Sequence, residues 1–564
     1  MKKQNHKYIF VIGGVMSGVG KGIATSSIGK ILEAKGFNVN PIKVDPYLNV
    51  DAGTMNPTEH GEVFVLNSGL ETDQDMGNYE RFMEKDLTPE DYMTSGMVYK
   101  SVIDRERALG YGGKFVEAIP HITDEIKRRI VRAAHVNKSD ISLIEIGGTV
   151  GDYQNILFIE AARTLKIKNP HDVFFILVSY LPIPSKLGEM KTRPTQNAVH
   201  QLNSYGVQPD MIIARSHEPL DHKRKEKIST WCSIPAQNVI SAPDVDSVYD
   251  VPLNFEKDKI SDIILKNLNL APKKRGDVLK DWRKFVAKIK NGTQDLHIAV
   301  VGKYFDTGDF FLSDAYISVI EAVKFSSYWQ NTRPRLTWIN SKEFETGKLR
   351  IEMLMEFDGI IVPGGFGSSG IDGVIETISF ARKNKIPYFG LCYGMQLMVV
   401  EYARNVVGLK SAHTAEIDPG SKHLVIDIMP DQKKKIADGN YGGSMRLGSY
   451  KCVLGKNTLA AAAYAEKKIK ERHRHRYEVN PEYIERLEKA GLVFSGRSPD
   501  GTLMEIAELP ASEHPFFLGT QFHPEFQARP LHPHKLFTAF IKAVIQEKKK
   551  KTKVPAYVEV TEKV

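Results

Sequence analysis

Short apolar runs alternate with longer helical patterns along the chain, and each run ends in glycine, proline or polar residues. In residues 1–270 the runs are YIFVIGG, NVNPIKVD, DISLIEIGG, DVFFILVSY and PDMIIARS. Their length and their β-branched and aromatic content are typical of buried parallel strands in a doubly wound sheet. A second alternation begins at LHIAVVGKY, continues through FDGIIVPGG and IPYFGLCYG, and ends near FTAFIKAVIQ. The pattern predicts two doubly wound α/β domains, residues 1–270 and 296–546, without an internal repeat.

Two charged segments lie outside these domains. Residues 271–295 are amphipathic and predict a linker with one helix, and residues 547–564 begin with the basic run EKKKKTK. Much of the net charge of +9 comes from such runs, which are typical of solvated linkers and tails. Nucleic-acid binding would need aromatic residues among the basic ones, and the run has only lysines. We therefore expect acidic small-molecule substrates and no nucleic acid.

Composition narrows the class of protein further. A chain of 564 residues, 42% hydrophobic and 26% charged, is too long for one core and is typical of soluble globular proteins. No apolar run reaches the ~18 residues that a membrane helix needs. The start, MKKQNHKYIFVIGG, predicts a core strand instead of a signal peptide. Only three cysteines occur, Cys232, Cys392 and Cys452, so we expect no disulfide framework and a cytoplasmic location.

The stretch GGVMSGVGKG, residues 13–22, has the pattern of a phosphate-binding loop. It follows an apolar strand and precedes KGIATSSIGKILEAKG, which predicts a helix that stops at Gly36. Glycines allow backbone N–H groups to face phosphate oxygens, and Lys21 adds a positive charge. A P-loop has Ser or Thr after this lysine to bind magnesium, but here the residue is Gly22.

Another part of the chain must then supply the magnesium ligands, and carboxylates are the preferred donors. The candidates are Asp73 and Asp75 in ETDQD and Glu145 and Asp152 in IEIGGTVGD. Glu145 follows an apolar run directly, which is a poor place for a purely structural carboxylate and favours a functional role. Asp73 is more typical of a turn than Asp75, but the sequence barely separates the two. A solvated loop position or a helix cap is the alternative for each.

The second domain contains a candidate nucleophile. Cys392 lies in G-L-C-Y-G after an apolar strand, the pattern of a sharp strand-to-helix turn that exposes a nucleophile. Downstream, TQFHPEF offers His523 as base and Glu525 to orient it, at a spacing that predicts one face of a strand. PGGFG can bring backbone N–H groups towards an oxyanion. Cys232 and Cys452 lack such surroundings and are expected to be structural.

PGGFG, G-x-C-x-G and HPE, in this order, resemble a class I glutamine amidotransferase domain. With GGVMSGVGKG, KVDPYLNVDAGTMNPTEHGEVFV, IEIGGTVGD, GEMKTRPTQ and RHRHRYEVN, the chain resembles the CTP synthase family from Tyr8 to about Ala543. The resemblance implies a P-loop-like amidoligase domain that uses ATP to phosphorylate O4 of UTP. Ammonia from glutamine then passes through an internal tunnel and displaces the phosphate to give CTP. It also implies Mg²⁺, a homotetramer, activation by GTP and feedback inhibition by CTP.

The resemblance further implies site residues by position. ATP would be bound by Ser17, Gly18, Val19, Gly20, Lys21, Gly22 and Asp75, with Lys43 beside the reacting phosphates and Asp75 and Glu145 on magnesium. UTP or CTP would be bound by Ser17, Asp152, Tyr153, Gln154, Lys191, Thr192, Arg193, Pro194, Thr195, Gln196 and Lys227. Glutamine would be bound by Gly365, Tyr393, Gly394, Met395, Gln396, Glu416 and Arg476, around the catalytic Cys392, His523 and Glu525.

The chain departs from the family pattern at several positions. Gln154 stands where an acidic residue is usual, which predicts weakened or altered inhibition by CTP. Ser369 replaces the arginine of the glutaminase lid, which puts activation by GTP in question. The connection at residues 304–316 is longer than usual. Tyr393 replaces a leucine, with little expected effect because the oxyanion donor there is a backbone N–H.

Two other functions fit parts of the chain. A related amidoligase that acts on a carboxylate, as in cobyrinate amidation, would not need the KTRPTQ and GTMNPTEHGEVFV blocks. A partition-type ATPase fused to an inactive amidotransferase-like module would have no reason to keep Cys392, His523 and Glu525 together.

Overall fold

The computed structural model describes residues 6–184, 188–302, 313–365, 367–428 and 445–553. They form two compact units, Met1–Ala52 with Thr72–Val286 and Gly53–Glu71 with Ala287–Val564. The second unit therefore includes a short segment from early in the chain. Most of the long connection at 304–316 lies outside the described residues. Within the described ranges, no helix is both long enough and apolar enough to cross a membrane.

The first unit and the early segment contain nine strands and ten helices among the described residues. The strands are β1 Lys7–Gly13, β2 Val39–Asp45, β3 Phe64–Val65, β4 Glu71–Thr72, β5 Tyr92–Thr94, β6 Ile141–Ile146, β7 Val173–Tyr180, β8 Met211–Ser216 and β9 Val239–Pro243. The helices are α1 Lys21–Ala34, α2 Pro57–His60, α3 Gln74–Met83, α4 Ser95–Arg107, α5 Thr123–Val136, α6 Ile156–Lys168, α7 Arg193–Ser204, α8 His222–Cys232, α9 Val251–Lys257 and α10 Ile260–Asn267.

The rest of the chain begins with helix α11, Lys280–Lys290. The strands that follow are β10 Gln294–Gly302, β11 Thr332–Asn340, β12 Gly359–Val362, β13 Tyr388–Leu391, β14 Ala412–Thr414, β15 His423–Ile428, β16 Arg446–Leu454, β17 Lys468–His475, β18 Tyr477–Val479, β19 Val493–Arg497, β20 Met504–Glu508 and β21 Phe517–Thr520. The helices are α12 Ile317–Trp329, α13 Lys342–Glu345, α14 Ile371–Lys383, α15 Tyr393–Asn405, α16 Leu459–Tyr464, α17 Pro481–Lys489 and α18 Lys535–Lys553.

The sheet of the first unit is parallel, in the order β5-β2-β6-β1-β7-β8-β9. The five predicted strands are confirmed, and β1, β2 and β6 are buried along their whole length because helices cover both faces. The register of β2 against β6 pairs Lys43 with Glu145. Because the side chains of paired residues point to the same face, the sheet itself brings these two charges together.

Helix α1 begins at Lys21 after Gly20, which has a left-handed φ of 84°, and its cap is followed by Gly36 with φ 96°. The predicted start and stop are thus confirmed. Glycine suits both positions because it has no Cβ to oppose a positive φ.

The nine-stranded sheet of the second unit has the order β11-β10-β12-β13-β21-β20-β19-β16-β17. The first five strands are parallel, and the rest pair antiparallel. Since β12, β13 and β21 are parallel neighbours, their carboxyl ends meet at one edge of the sheet. The segments that leave this edge carry the PGG turn, Cys392 and the QFHPE sequence.

The basic run at 547–553, expected to be a solvated tail, instead continues helix α18 to Lys553. Nζ of Lys548 donates to Oδ2 of Asp358 at 2.7 Å and to the carbonyl oxygen of Asp295 at 3.0 Å. Lys548, one of the lysines predicted to lie in a solvated tail, therefore bonds helix α18 to other residues of its own unit.

Candidate functional site

Cys392 occupies a strained turn between β13 and α15, with φ 51° and ψ −97°. The two positions that flank this turn, Gly390 and Gly394, have no room for a side chain. A Cβ at Gly390 would lie 2.7 Å from the carbonyl carbon of Gly394, and a Cβ at Gly394 would overlap the carbonyl oxygen of Val362. Such backbone strain costs roughly 1–3 kcal/mol and persists only where surrounding structure holds it. The turn predicted from the sequence is present, and it directs the thiol into a cavity.

Two backbone features lie beside this cavity, the start of helix α15 and the PGG turn. Helix α15 begins at Tyr393, directly after the nucleophile, so the positive end of the helix dipole faces the sulfur. Gly364 and Gly365 of the PGG turn also line the cavity. A Cβ at Gly364 would lie 2.9 Å from Cε1 of His523, so only glycine allows the turn and the imidazole to approach this closely.

His523 and Glu525 were predicted on one face of a strand, and this was wrong. Strand β21 ends at Thr520, and Pro524 starts a short 3₁₀ helix, Pro524–Gln527, because proline lacks the N–H that a strand ladder needs. The helical turn still brings the two side chains together, with Nδ1 of His523 2.7 Å from Oε1 of Glu525.

The environment of His523 favours its protonated form. Burial lowers the pKa of His523, but the Glu525 carboxylate and the Cys392 thiolate outweigh burial and raise this pKa to about 10. Its Nε2 has no hydrogen-bond partner among the described residues, while Cys392 lines the same cavity. The arrangement can therefore hold an imidazolium in the cavity that Cys392 lines at neutral pH.

Five of the implied glutamine-binding and catalytic residues line one further cavity beside the nucleophile: Gly365, Cys392, Gln396, Glu416 and Arg476. Three other residues that the resemblance assigns to glutamine binding are not among those that line this cavity. The hydroxyl of Tyr393 donates to the carbonyl oxygen of Gly367 at 3.2 Å, Met395 packs against Gly519, and Gly394 packs against Val362. Oε1 of Glu416 accepts from the N–H of Gly367 at 2.8 Å. Tyr393 and Glu416 thus both hold the glycine-rich turn.

The early segment 53–71 contributes side chains to the Cys392 cavity, which the sequence did not predict. Pro57, Glu62 and Val63 line the Cys392 cavity. Glu62 accepts hydrogen bonds from the N–H and the hydroxyl of Ser318, so it caps helix α12. The segment gives no periodic signal of this placement, because its contacts are to residues more than 250 positions later.

Two arginines of RHRHRYEVN fasten the same segment to strand β17. Nε of Arg472 donates to Oδ1 of Asn67 at 2.8 Å, and Nε of Arg474 donates to Oε1 of Glu71 at 2.7 Å. Arg472 is fully buried, the Arg474 side chain is only 10% exposed, and both are paired, so these two arginines do not form a solvated basic patch.

In the first unit the structure explains why glycine follows Lys21. A Cβ at Gly22 would overlap Oδ1 of Asp75, so the carboxylate of Asp75 occupies the space that a Ser or Thr side chain would need. Lys43 forms ion pairs with Asp75 and, at 3.2 Å, with Glu145. Nζ of Lys21 donates to the carbonyl oxygen of Gly148 at 2.8 Å. The predicted carboxylates therefore meet at the phosphate loop.

The candidate carboxylates left open by the sequence have different partners. Oδ1 of Asp73 accepts from the N–H of Asp75 and caps helix α3, and Oδ2 of Asp152 accepts from the N–H of Thr149 at 2.6 Å. Burial and the nearby Glu145 raise the pKa of Asp75 to about 7, against the opposing effect of Lys43. A cation at this position would stabilise the ionised form of Asp75.

The donor set fits magnesium in a particular way. Among the described residues there is no cluster of three or more His, Cys, Asp or Glu side chains that could hold a metal by itself. Magnesium commonly takes one or two carboxylates and completes its shell with water and substrate phosphates. Asp75 and Glu145, joined by the positive Lys43, match that pattern beside a phosphate-binding loop.

The implied pyrimidine-nucleotide residues are distributed over four parts of the first unit. Thr195 and Gln196 are buried at the start of α7, where Oγ1 of Thr195 lies 2.8 Å from the hydroxyl of Ser179. Lys227 is exposed on α8, and Tyr153 and Gln154 are exposed in the turn after β6. Ser17 is exposed in the phosphate loop.

A cavity that the sequence did not predict lies beside the phosphate loop. It is lined mainly by apolar side chains near Gly20, with Arg215 at one side: Ile23, Ala24, Ala242, Pro243, Val245, Val248, Val251 and Phe255. An apolar slot next to a phosphate loop suits a nucleobase. The only signal in the sequence is the apolar strand end at Val239–Pro243, which resembles ordinary core.

Comparison with known proteins covers both units. Residues 7–270 match the family model of the CTP synthase N-terminus, and residues 311–543 match class I glutamine amidotransferase. The chain is 48% identical over 543 residues to the CTP synthase of Caldanaerobacter subterraneus, which covers 96% of this chain and 99% of the relative. It is 48% identical over 547 residues to that of Pyrococcus furiosus, with 97% and 99% covered.

Among solved structures, the glutaminase domain of Trypanosoma brucei CTPS with bound acivicin is 36% identical, with a TM-score of 0.41 over 44% of this chain and 94% of that chain. The full-length relatives extend over both units, so one chain contains the parts for glutamine-dependent conversion of UTP to CTP with ATP as co-substrate. The chain belongs to the CTP synthase family.

Proposed function

We propose that Cys392, His523 and Glu525 release ammonia from glutamine and that the phosphate loop with Lys43, Asp75 and Glu145 activates UTP. The observation that carries this proposal is the convergence of a strained cysteine turn and a histidine–carboxylate pair on one cavity. A structural cysteine would not need the strain, and an inactive module would not need the charged pair.

In the glutaminase half, the thiolate of Cys392 attacks the side-chain carbonyl carbon of glutamine, and the proton is held on His523. Backbone N–H groups at Tyr393 and the PGG turn stabilise the oxyanion. His523 then protonates the leaving ammonia, and water hydrolyses the thioester to glutamate. Arg476 and Glu416 carry charges suited to the carboxylate and ammonium groups of the substrate. Pro57, Glu62 and Val63 line the cavity into which ammonia is released.

In the synthetase half, the loop from Ser17 to Gly22 holds the phosphates of ATP, and the apolar slot beside Gly20 receives the adenine. Lys21 and Lys43 neutralise charge on the transferred phosphoryl group. Mg²⁺, held by Asp75 and Glu145, would supply further positive charge at the phosphates. Phosphorylation turns O4 of UTP into a good leaving group, which ammonia replaces. The UTP contacts come from Ser17, from Asp152–Gln154, from Lys191–Gln196 and from Lys227.

The test is synthesis of CTP by purified protein with UTP, ATP and magnesium, supplied with either glutamine or ammonia. Cys392→Ala abolishes glutamine-dependent synthesis and leaves ammonia-dependent synthesis intact. Loss of both activities in a folded variant, or retention of glutamine-dependent synthesis, contradicts the assignment.

We also propose a cytoplasmic homotetramer that GTP and CTP regulate. The described cysteines are all free, which suits a reducing compartment. Leu109, Phe115 and Ile119 are exposed by 74%, 81% and 53%, an apolar surface that association would cover. Mass measurement in solution tests the tetramer. Titration of the wild type and of Gln154→Glu with CTP tests whether Gln154 weakens inhibition. Titration of the wild type with GTP tests whether GTP activates the protein with Ser369 in the glutaminase lid.

A further inference from the structure

A side-chain amide reaches the nucleophile from the end of strand β21. Gln521, the first residue after this strand, is fully buried, and its backbone N–H donates to the carbonyl oxygen of Glu505 at 2.8 Å. Its Nε2 lies 3.7 Å from Sγ of Cys392 and donates to the sulfur. Sulfur is a large, weak acceptor, so this distance is suited to an N–H···S hydrogen bond.

The orientation of this amide is determined by a second glutamine. Nε2 of Gln396 donates to the carbonyl oxygen of Tyr477 at 2.9 Å, and that carbonyl can only accept. The same nitrogen lies 3.3 Å from Oε1 of Gln521, to which it donates. Oε1 of Gln521 is therefore engaged by a donor, and Nε2 must face Cys392. A chain of hydrogen bonds from a main-chain carbonyl thus presents a donor to the sulfur.

The protonation state of Cys392 decides which contacts are favourable. As a thiol, Sγ can donate to the carbonyl oxygen of Arg474, 3.8 Å away. As a thiolate it repels that oxygen and needs donors instead. The charged groups that line the same cavities as Cys392 are His523, Glu525, Glu62, Glu416, Arg476 and Arg474. Glu525 is bonded to His523, and the guanidinium of Arg474 is bonded to Glu71. A hydrogen bond to an ion is stronger than one to a neutral group, so the Gln521 donor favours the thiolate over the thiol.

We propose that Gln521 is a catalytic residue that stabilises the Cys392 thiolate through its side-chain N–H, and that Gln396 is a positioning residue for Gln521. The amide keeps its own protons throughout, and the proton lost by the thiol resides on His523. The inference rests on the proposed role of Cys392 as the nucleophile.

The experiment compares Gln521→Met, which keeps length without polarity, with Gln521→Glu, which replaces the donor by an acceptor of the same shape. The rate of Cys392 alkylation by iodoacetamide is measured against pH in each. At neutral pH the rate falls about 10- to 100-fold, as expected for loss of a hydrogen bond to a charged group. The midpoint of the pH profile moves to higher pH, further for Glu than for Met. In glutamine hydrolysis kcat falls, whereas KM changes little.

Two further variants separate this role from a structural one. Thr520→Val removes a neighbouring buried hydrogen bond, from Oγ1 to the carbonyl oxygen of Phe522 at 2.9 Å, without touching the sulfur. It keeps the wild-type alkylation midpoint. Gln396→Met releases the Gln521 amide and shifts the midpoint in the same direction as Gln521→Met, by less.

Chemical unfolding verifies that each variant folds, because ammonia-dependent synthesis reports on the first unit alone, and Gln521→Glu replaces Gln521→Met if the latter does not fold. A wild-type midpoint in the folded Gln521 variants, or a rise in KM alone, overturns the inference. Because alkylation reports the thiolate directly, this outcome is distinct from failure of the proposed function. That failure appears instead as glutamine-dependent synthesis by Cys392→Ala.

Discussion

Replacing Gly22 by serine would restore the usual P-loop residue after Lys21, and we expect it to damage the enzyme. The added Cβ would overlap Oδ1 of Asp75 and lie 2.9 Å from its Cγ. Asp75 has little freedom to move, because its carboxylate is paired with Lys43 and its N–H is bonded to Asp73 at 2.8 Å. Either helix α1 shifts away from α3 or the carboxylate leaves Lys43.

The loss of stability depends on whether helix α1 shifts or the carboxylate of Asp75 leaves Lys43. Forcing extra volume into a packed site costs about 1–3 kcal/mol. Separating a buried ion pair costs about 3–5 kcal/mol, because the partner charge stays buried. The smaller cost governs the outcome, so Gly22→Ser should lower the free energy of unfolding by about 1–3 kcal/mol. The shift of α1 also moves the phosphate loop away from Asp75, so the magnesium concentration needed for half-maximal activity should rise about tenfold or more, the equivalent of about 1.4 kcal/mol.

The assay is ammonia-dependent CTP synthesis at saturating UTP and ATP, titrated with magnesium, alongside chemical unfolding. Thr25→Ala is the matched control on the same helix. Thr25 is buried and its hydroxyl has no partner among the described residues, so the change loses no hydrogen bond. The loss of a buried methyl group costs stability without touching Asp75. If Gly22→Ser has the magnesium dependence of Thr25→Ala, then Asp75 is not the reason for glycine at this position.

Three other predictions concern the second unit. Glu525→Gln removes the charge that raises the pKa of His523 to about 10, so glutamine hydrolysis at neutral pH should fall about 10²–10⁴-fold. The wild-type ion pair stabilises the fold below the ordinary histidine pKa and loses this effect as pH rises through about 10. Unfolding of the variant should lack that pH dependence. Tyr393→Phe removes a hydrogen bond to the glycine-rich turn and should raise KM for glutamine up to about tenfold, with ammonia-dependent activity unchanged. Arg382 donates two hydrogen bonds, of 2.7 and 3.0 Å, to the fully buried carboxylate of Glu401. Arg382→Ala leaves this charge without its arginine and should lower the free energy of unfolding in urea by about 3–5 kcal/mol. Arg382→Lys should lower it by less.

The sequence predicted the features that depend on neighbouring residues. Five of the seven strands of the first sheet, the start of α1 at Lys21 and the turn at Cys392 follow from apolar runs and from glycines at fixed offsets. These are short-range effects of sterics and burial. The same reasoning failed at His523, because the strand ends at Thr520 and a 3₁₀ helix begins at Pro524, where the alternating pattern predicted a strand.

The sequence alone places the phosphate loop, the cysteine turn and most of the central parallel strands of the two large sheets. Only the tertiary structure decided that Asp75 fills the space beside Gly22, that residues 53–71 line the Cys392 cavity, and that Gln521 presents a donor to the sulfur. The physical reason is sequence distance: each of these contacts joins residues about 50 to several hundred positions apart, and it exists only because parallel strands and packed helices bring their ends together.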